Sequence, residues 1–154
     1  MTLPILAAYL IRVFEGFKDT AYWDQYGKRW TIGFGHTLNV KEGDTCTLEQ
    51  ATAWMAQDFA PLFVLVKDRP MIEAAALVSF GYNCGIGALK QVLDGEISIL
   101  HEEFMIEPSD VPYGEMSGGV KLPGLVARRH LEAALIEASR QSVQAITSTP
   151  TVSS

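Results

Sequence analysis

Cysteine, histidine and positive charge are all scarce in this chain of 154 residues. Its two cysteines, Cys46 and Cys84, are too few and too far apart for a disulfide framework or a zinc site; they read as reduced, partly buried thiols. His36, His101 and His130 show no metal-type spacing, so no metal ion or other cofactor is expected. Lys and Arg together number 12 against 18 Asp plus Glu, a formal net charge of −6. That balance argues against nucleic-acid binding, which rests on basic surface neutralising phosphates. It also gives no general pull towards an acidic membrane or wall polymer, so any contact with a polyanion must come from a local cleft. The longest early apolar run, residues 3–11 (LPILAAYLI), is closed by Arg12. It is far short of the ~20 residues that span a bilayer, and it lacks the basic flank and cleavage site of a signal peptide. No other stretch reads as long enough to span. The expectation is a soluble, unprocessed protein made in a cytoplasm, with no stable membrane insertion.

What is present is a core. The chain is 48% hydrophobic and 19% charged, which excludes a disordered tail or a fibrous repeat. One domain of this size buries roughly 70% of its unfolded surface. Ile5, Leu6, Tyr9, Leu10, Val13 and Phe14 recur at helical spacing, with Pro4 in the first turn and Gly16 at the end. On that wheel Glu15 falls opposite the centre of the stripe and is expected to point away from the core. Residues 20–37 (TAYWDQYGKRWTIGFGHT) are aromatic, β-branched and Gly-rich, and predict two short strands around a turn at Tyr26-Gly27-Lys28. Thr47 and Gln50 match a capping box, and Pro70 opens a second helix that Gly85 and Gly87 close. A third, weaker helix is expected over about Ala88–Phe104. Residues 107–124 hold seven Pro and Gly and read as loop, and a last helix spans about Leu125–Ser142. The reading is one α+β domain over 1–142, a hairpin lobe followed by a helical lobe, with a small polar tail at 143–154.

Glu15, Asp24 and Thr31 are the candidate chemistry. A helix end followed by a hairpin can bring two carboxyls to opposite sides of a groove. Glycosidic bond cleavage needs such a pair: a carboxylic acid kept protonated by an apolar setting, and an ionised carboxylate in a wetter one. A hydroxyl beside the second carboxylate would hold the attacking water. Phe14 and Phe17 are the candidates for desolvating Glu15. On residue types alone, a Glu at a helix end and an Asp before a turn are equally ordinary surface and turn chemistry.

The order of the motifs decides between these. Glu15-Gly16-Phe17, Ala21-Tyr22, Asp24, Gly27 and Thr31-Ile32-Gly33-Phe34-Gly35-His36-Thr37 resemble the active-site signature of the phage-type lysozymes, glycoside hydrolase family 24, typified by the T-even phage enzyme. Ser79-Phe80-Gly81-Tyr82-Asn83-Cys84-Gly85 and Leu122-Pro123-Gly124-Leu125-Val126-Ala127-Arg128-Arg129, with Glu132, are similar to the family's mid-domain helix end and to the start of its C-terminal helix. The resemblance covers about residues 5–138. It implies a lysozyme-like two-lobed fold and hydrolysis of the β-1,4 bond between N-acetylmuramic acid and N-acetylglucosamine in peptidoglycan. It further implies Glu15 as general acid, Asp24 as second carboxylate and Thr31 as the residue placing the water, with inversion at the anomeric carbon. A monomer acting in host lysis, held in the host cytoplasm until a holin-type lesion releases it, also follows from the resemblance. The family places Thr six residues after Asp, whereas Thr31 lies seven after Asp24. The extra residue falls in the turn at residues 25–29, where a longer loop absorbs it; inside a strand it would flip Thr31 to the other face.

The remaining motifs read more plainly. Gly33-x-Gly35 lacks the third glycine and the βαβ context of a nucleotide loop. His36 is expected to be structural, bonded to a carboxylate at the base of the hairpin. One of Arg128 and Arg129 is implied by resemblance to approach Glu15, where it would oppose desolvation. Trp30 and Phe34 are assigned to the core and Tyr26 to the cleft edge. Two alternatives stand beside the hydrolase: a lytic transglycosylase, which works with a single acid and yields an anhydro-sugar, and a wall-binding module that does not cut.

Overall fold

The computed structural model describes residues 2–25, 27–101, 104–105 and 123–148. Its elements run α1 (Leu3–Glu15), β1 (Lys18–Asp24), β2 (Arg29–Gly33), α2 (Leu48–Val66), α3 (Met71–Leu93) and α4 (Pro123–Thr147). This is the expected α+β order. Tyr26, most of the expected 107–124 loop and residues 149–154 of the expected tail lie outside the described residues.

Local chemistry explains most boundaries. Pro4 sits in the first turn of α1, where a missing N–H costs nothing. Gly16, at φ 66°, ends the helix with its N–H on the Arg12 carbonyl, a conformation that favours glycine. At α2 the capping box is complete: Thr47 Oγ1 accepts from the Gln50 N–H at 3.1 Å, and Gln50 Oε1 accepts from the Thr47 N–H at 2.8 Å.

α3 is the hub, packed against α1, α2 and α4. Its residues from Ala74 to Gly81 are all buried, as expected of a helix apolar all round. Phe80 is fully buried, which stabilises by roughly 1.5–3 kcal/mol. Gly81 lets α3 close on its neighbours; a Cβ there would meet Leu89 at 2.9 Å and Leu62 at 3.2 Å.

Within α3, Gly85 takes a non-helical conformation (φ 90°, ψ 161°) that divides the element into two helical segments, as expected. Three expectations need correction. The second segment stops at Leu93, with Asp94 and Gly95 beyond it, rather than reaching Phe104. Taken across that break, Met71–Leu93 is long and apolar enough by composition to cross a membrane, although 56% of the apolar window is buried in the protein. α4 begins at Pro123 and continues to Thr147, so residues 143–147 are helix rather than tail. The stripe of α1 is also rotated. Ile5, Tyr9 and Val13 are more than half exposed, and the buried residues are Ala7, Leu10 and Ile11. Apolar residues on both sides of the helix made the wheel ambiguous, and the packing against α3 chose the other side.

β1 and β2 pair antiparallel, with Tyr22 opposite Thr31, Trp23 opposite Trp30 and Asp24 opposite Arg29. The register then shifts towards Lys18. The shifted part of β1 finds its partners elsewhere: Ala21 donates to the Asp44 carbonyl and Cys46 to the Asp19 carbonyl. Phe34 is core, as expected, but Trp30 is only half-buried and meets Trp23 edge-on at 5.7 Å.

Candidate active site

The rotated stripe of α1 carries Glu15 with it. Glu15 lies one turn beyond buried Ile11 and two beyond buried Ala7, on the inward side rather than opposite the core. Its side chain is 22% exposed. One oxygen, Oε1, accepts a hydrogen bond from Arg128 Nη1. The other, Oε2, looks towards Gly35, whose missing Cβ would stand 3.9 Å from it. Gly35 has φ 97°, and Tyr82 borders the same hollow at 3.7 Å.

Arg128 is the organiser. It is buried and lies over the Phe14 ring at 5.1 Å. Its Nε donates to Glu132 Oε1 at 3.1 Å, and its Nη2 donates to the Ser79 carbonyl at 2.8 Å. Phe14 therefore serves the guanidinium, and Phe17 packs on Phe34 at 5.6 Å. The apolar wall expected beside Glu15 is shared with a cation. Arg129 turns elsewhere, to Glu132 at 2.9 Å and to Cys84 Sγ at 2.7 Å. Glu132 is fully buried and also accepts from Ser79 Oγ at 2.7 Å. Burial pushes its carboxyl up, against the pull of the two guanidiniums. Burial likewise pushes the Cys84 thiol up, with Arg129 opposing.

The hairpin supplies the other two candidates. Cross-strand pairing places Asp24, opposite Arg29, and Thr31, opposite Tyr22, on one face of the sheet. The additional residue of the Asp-to-Thr interval thus sits in the turn and leaves the strand parity intact. Asp24 folds over Gly27, where a Cβ would meet Asp24 Oδ2 at 2.6 Å, while Arg29 Nε donates to the Gly27 carbonyl at 2.9 Å. Tyr22 feels both carboxyls: burial, then Asp24, then Glu15 raise its phenol above the usual range. Thr31 is buried, and its hydroxyl finds no partner among the described residues.

Two side chains fix the hairpin base. His36 Nδ1 meets Asp58 Oδ2 at 2.7 Å and His36 Nε2 meets the Leu38 carbonyl at 3.1 Å. Tyr82 donates its hydroxyl to the Phe34 carbonyl at 2.8 Å, and burial pushes that phenol well up. Gly35, Asp58, Tyr82 and Gly85 line a cavity of about 350 Å³ here. Asp58 carried no signal in the sequence, because nothing local pairs it with a histidine 22 residues away. Among the described residues no three His, Cys, Asp or Glu side chains cluster as metal ligands would.

The chain as a whole is similar to known proteins. The family described as phage lysozyme matches residues 12–132. An endolysin of Acyrthosiphon pisum secondary endosymbiont phage 1 is 34% identical over 141 residues, 84% of this chain and 94% of that protein. Among solved structures, the muramidase domain of SpmX from Asticaccaulis excentricus is similar at TM-score 0.66 and 30% identity, covering 84% of this chain and 93% of that one. The endolysin from Escherichia coli O157:H7 phage FAHEc1 is similar at TM-score 0.64 and 28% identity, covering 88% and 93%.

Proposed function

The chain belongs to the phage lysozyme family, and on that premise we propose how its cleft works and where it acts. It is a glycoside hydrolase of the endolysin kind, cutting bacterial peptidoglycan. The bond is the β-1,4 link between N-acetylmuramic acid and N-acetylglucosamine. Glu15 protonates the leaving oxygen, Asp24 acts on the opposite face of the sugar, and Thr31 seats the water. The observation that carries this reading is Glu15 itself, turned inward at the end of α1 with one oxygen on Arg128 and the other towards the hollow at Gly35.

The chemistry of each part supports its role. Arg128 orients Glu15 through a hydrogen bond to one carboxyl oxygen and leaves the other free to face the hollow at Gly35. Thr31 has an unspent buried hydroxyl, a group whose desolvation costs about 1–3 kcal/mol unless something bonds it; an attacking water is such a partner. A water attacking directly leads to inversion, as in glycoside hydrolase family 24 and its T-even members. The enzyme works as a monomer that reaches the wall from the host cytoplasm through a holin-type lesion.

Clearing of outer-membrane-permeabilised Gram-negative cells tests the assignment, with soluble products weighed and their anomers read by NMR. Wild type should release reducing-end muropeptides, initially of inverted configuration, and Glu15→Gln should lose at least ~100-fold. Anhydro products together with an active Asp24→Asn would replace the hydrolase with a transglycosylase. No clearing by folded wild type would leave a wall-binding module.

A further inference from the structure

Beside His36 lies a second and larger cavity, of about 490 Å³, between α2 and the loop that follows the hairpin. That is within the range of ~300–1,000 Å³ typical of small-molecule sites. The His36 ring stacks on Trp54 at 5.0 Å and 17°, while its Nδ1 reaches Asp58, which lines the cavity at Gly35 and Tyr82.

The wall formed by α2 is Gln50, Trp54 and Gln57, an amide-indole-amide stripe at positions i, i+4 and i+7 that share one helix face. Opposite stand Asn39 and Asp44. These groups are held but not used up. The Gln50 amide is locked by its carbonyl oxygen in the capping box, which leaves its NH₂ unspent. The Trp54 indole N–H and the Gln57 and Asn39 carboxamides have no partner among the described residues. The Gln57 carbonyl loses its usual helical donor because Pro61 has no N–H to give. Asp44 Oδ2 is occupied by the Lys41 N–H at 2.8 Å, leaving Oδ1 available.

The ligand chemistry follows from that inventory. No Lys or Arg lines the cavity and one carboxylate does, so an anion is disfavoured. Several carboxamides, a carboxylate and an aromatic edge suit a neutral molecule with hydroxyls, an amide and one apolar face. We propose that this cavity is a second glycan site, taking an N-acetylhexosamine unit of a wall strand outside the catalytic cleft. The inference rests on the peptidoglycan reading above. It gives the enzyme a foothold that does not depend on the scissile bond.

The test uses the full-length Glu15→Gln protein, labelled with ¹⁵N and titrated with the N-acetylglucosamine tetramer. The Trp54 indole N–H and the Gln50 and Gln57 NH₂ signals should move along a saturation curve distinct from that of the Gly35 amide. Gln57→Ala, on an exposed helical position that Ala suits, should weaken the first curve at least about fivefold, the value of one hydrogen bond, and leave the Gly35 curve unchanged. Movement at Gly35 with the cavity signals still, or following the Gly35 curve and indifferent to Gln57→Ala, overturns the second site and leaves the catalytic reading intact. Movement at the cavity with Gly35 still supports the second site and counts against cleavage in the cleft. Stillness at both overturns both.

Discussion

Arg128 and Glu15 are joined by a hydrogen bond across 113 residues of chain, and the same guanidinium also holds Glu132 and Ser79. One cation thus connects the candidate acid to the buried core of the helical lobe. The arrangement separates two quantities that are easily confounded: how Glu15 is held, and how stable the fold is. Each of the following substitutions moves one or both in a defined direction.

Arg128→Ala removes a nearly fully buried cation and leaves Glu132 with Arg129 and the Ser79 hydroxyl. Breaking a buried pair by deleting one partner costs about 3–5 kcal/mol. Urea denaturation should show that loss. Arg129→Ala leaves the Glu15 contact in place, so its residual activity per folded molecule should exceed that of Arg128→Ala. Equal activities would detach Arg128 from catalysis.

Thr31→Val keeps the shape and removes a buried hydroxyl that has no partner among the described residues. Stability should hold or rise, by up to about 1 kcal/mol, equivalent to roughly 2–4 °C in Tm for a domain of this size. Activity should fall at least ~10-fold, since proton transfer through a positioned group contributes ~10²–10⁴ in rate and its water must be seated. A stable variant with full activity would remove Thr31 from the reaction.

Gly27→Ala places a carbon 2.6 Å from Asp24 Oδ2 and 2.9 Å from Arg29 Nε. Both neighbours are movable side-chain ends, so the carboxylate and the guanidinium should swing away while the hairpin survives. The expected result is an activity loss approaching that of Asp24→Asn with a Tm within a few degrees of wild type, measured by clearing assays and thermal melts.

The thiols set an alkaline limit. Burial raises both Cys46 and Cys84 above the ordinary thiol range, so the folded protein binds these protons more tightly than the unfolded chain does. Their contribution is fully present below the unfolded value of ~8.5 and is lost as pH rises through the folded values. Urea midpoints should therefore drop between pH 8 and pH 10, and the drop should be smaller in Cys46→Ala/Cys84→Ala. The same physics predicts slow labelling of native thiols at pH 8, and an identical rate in native and unfolded protein would refute it.

Local signals were legible wherever the chain decides structure within a few residues. Gly16 ended α1, Thr47 and Gln50 capped α2, and the turn around Gly27 joined the strands. The sequence was ambiguous where a tertiary contact chose between equal options. Ile5, Tyr9 and Val13 made as good a stripe as Ala7 and Ile11, and only packing on α3 decided which side went inward, turning Glu15 with it. Arg128 and Arg129 are adjacent and chemically identical, and the helical phase of α4 alone sends one to Glu15 and the other to Cys84. Gly85 ends a helical segment as expected, and the segment after it carries Leu89 back into the core.

The contact between α1 and α4 also has a consequence in time. A ribosome delivers Glu15 early and Arg128 last among the groups that hold it. Until α4 has emerged and docked on α3, the acid has no guanidinium to orient it, and Ser79 and Glu132 have not met. A polypeptide still being synthesised, or one clipped before residue 123, therefore presents the hairpin and its carboxylates without the fixed geometry that cutting requires. The contact that orients Glu15 therefore forms only after α4 has been made, however early the hairpin itself folds.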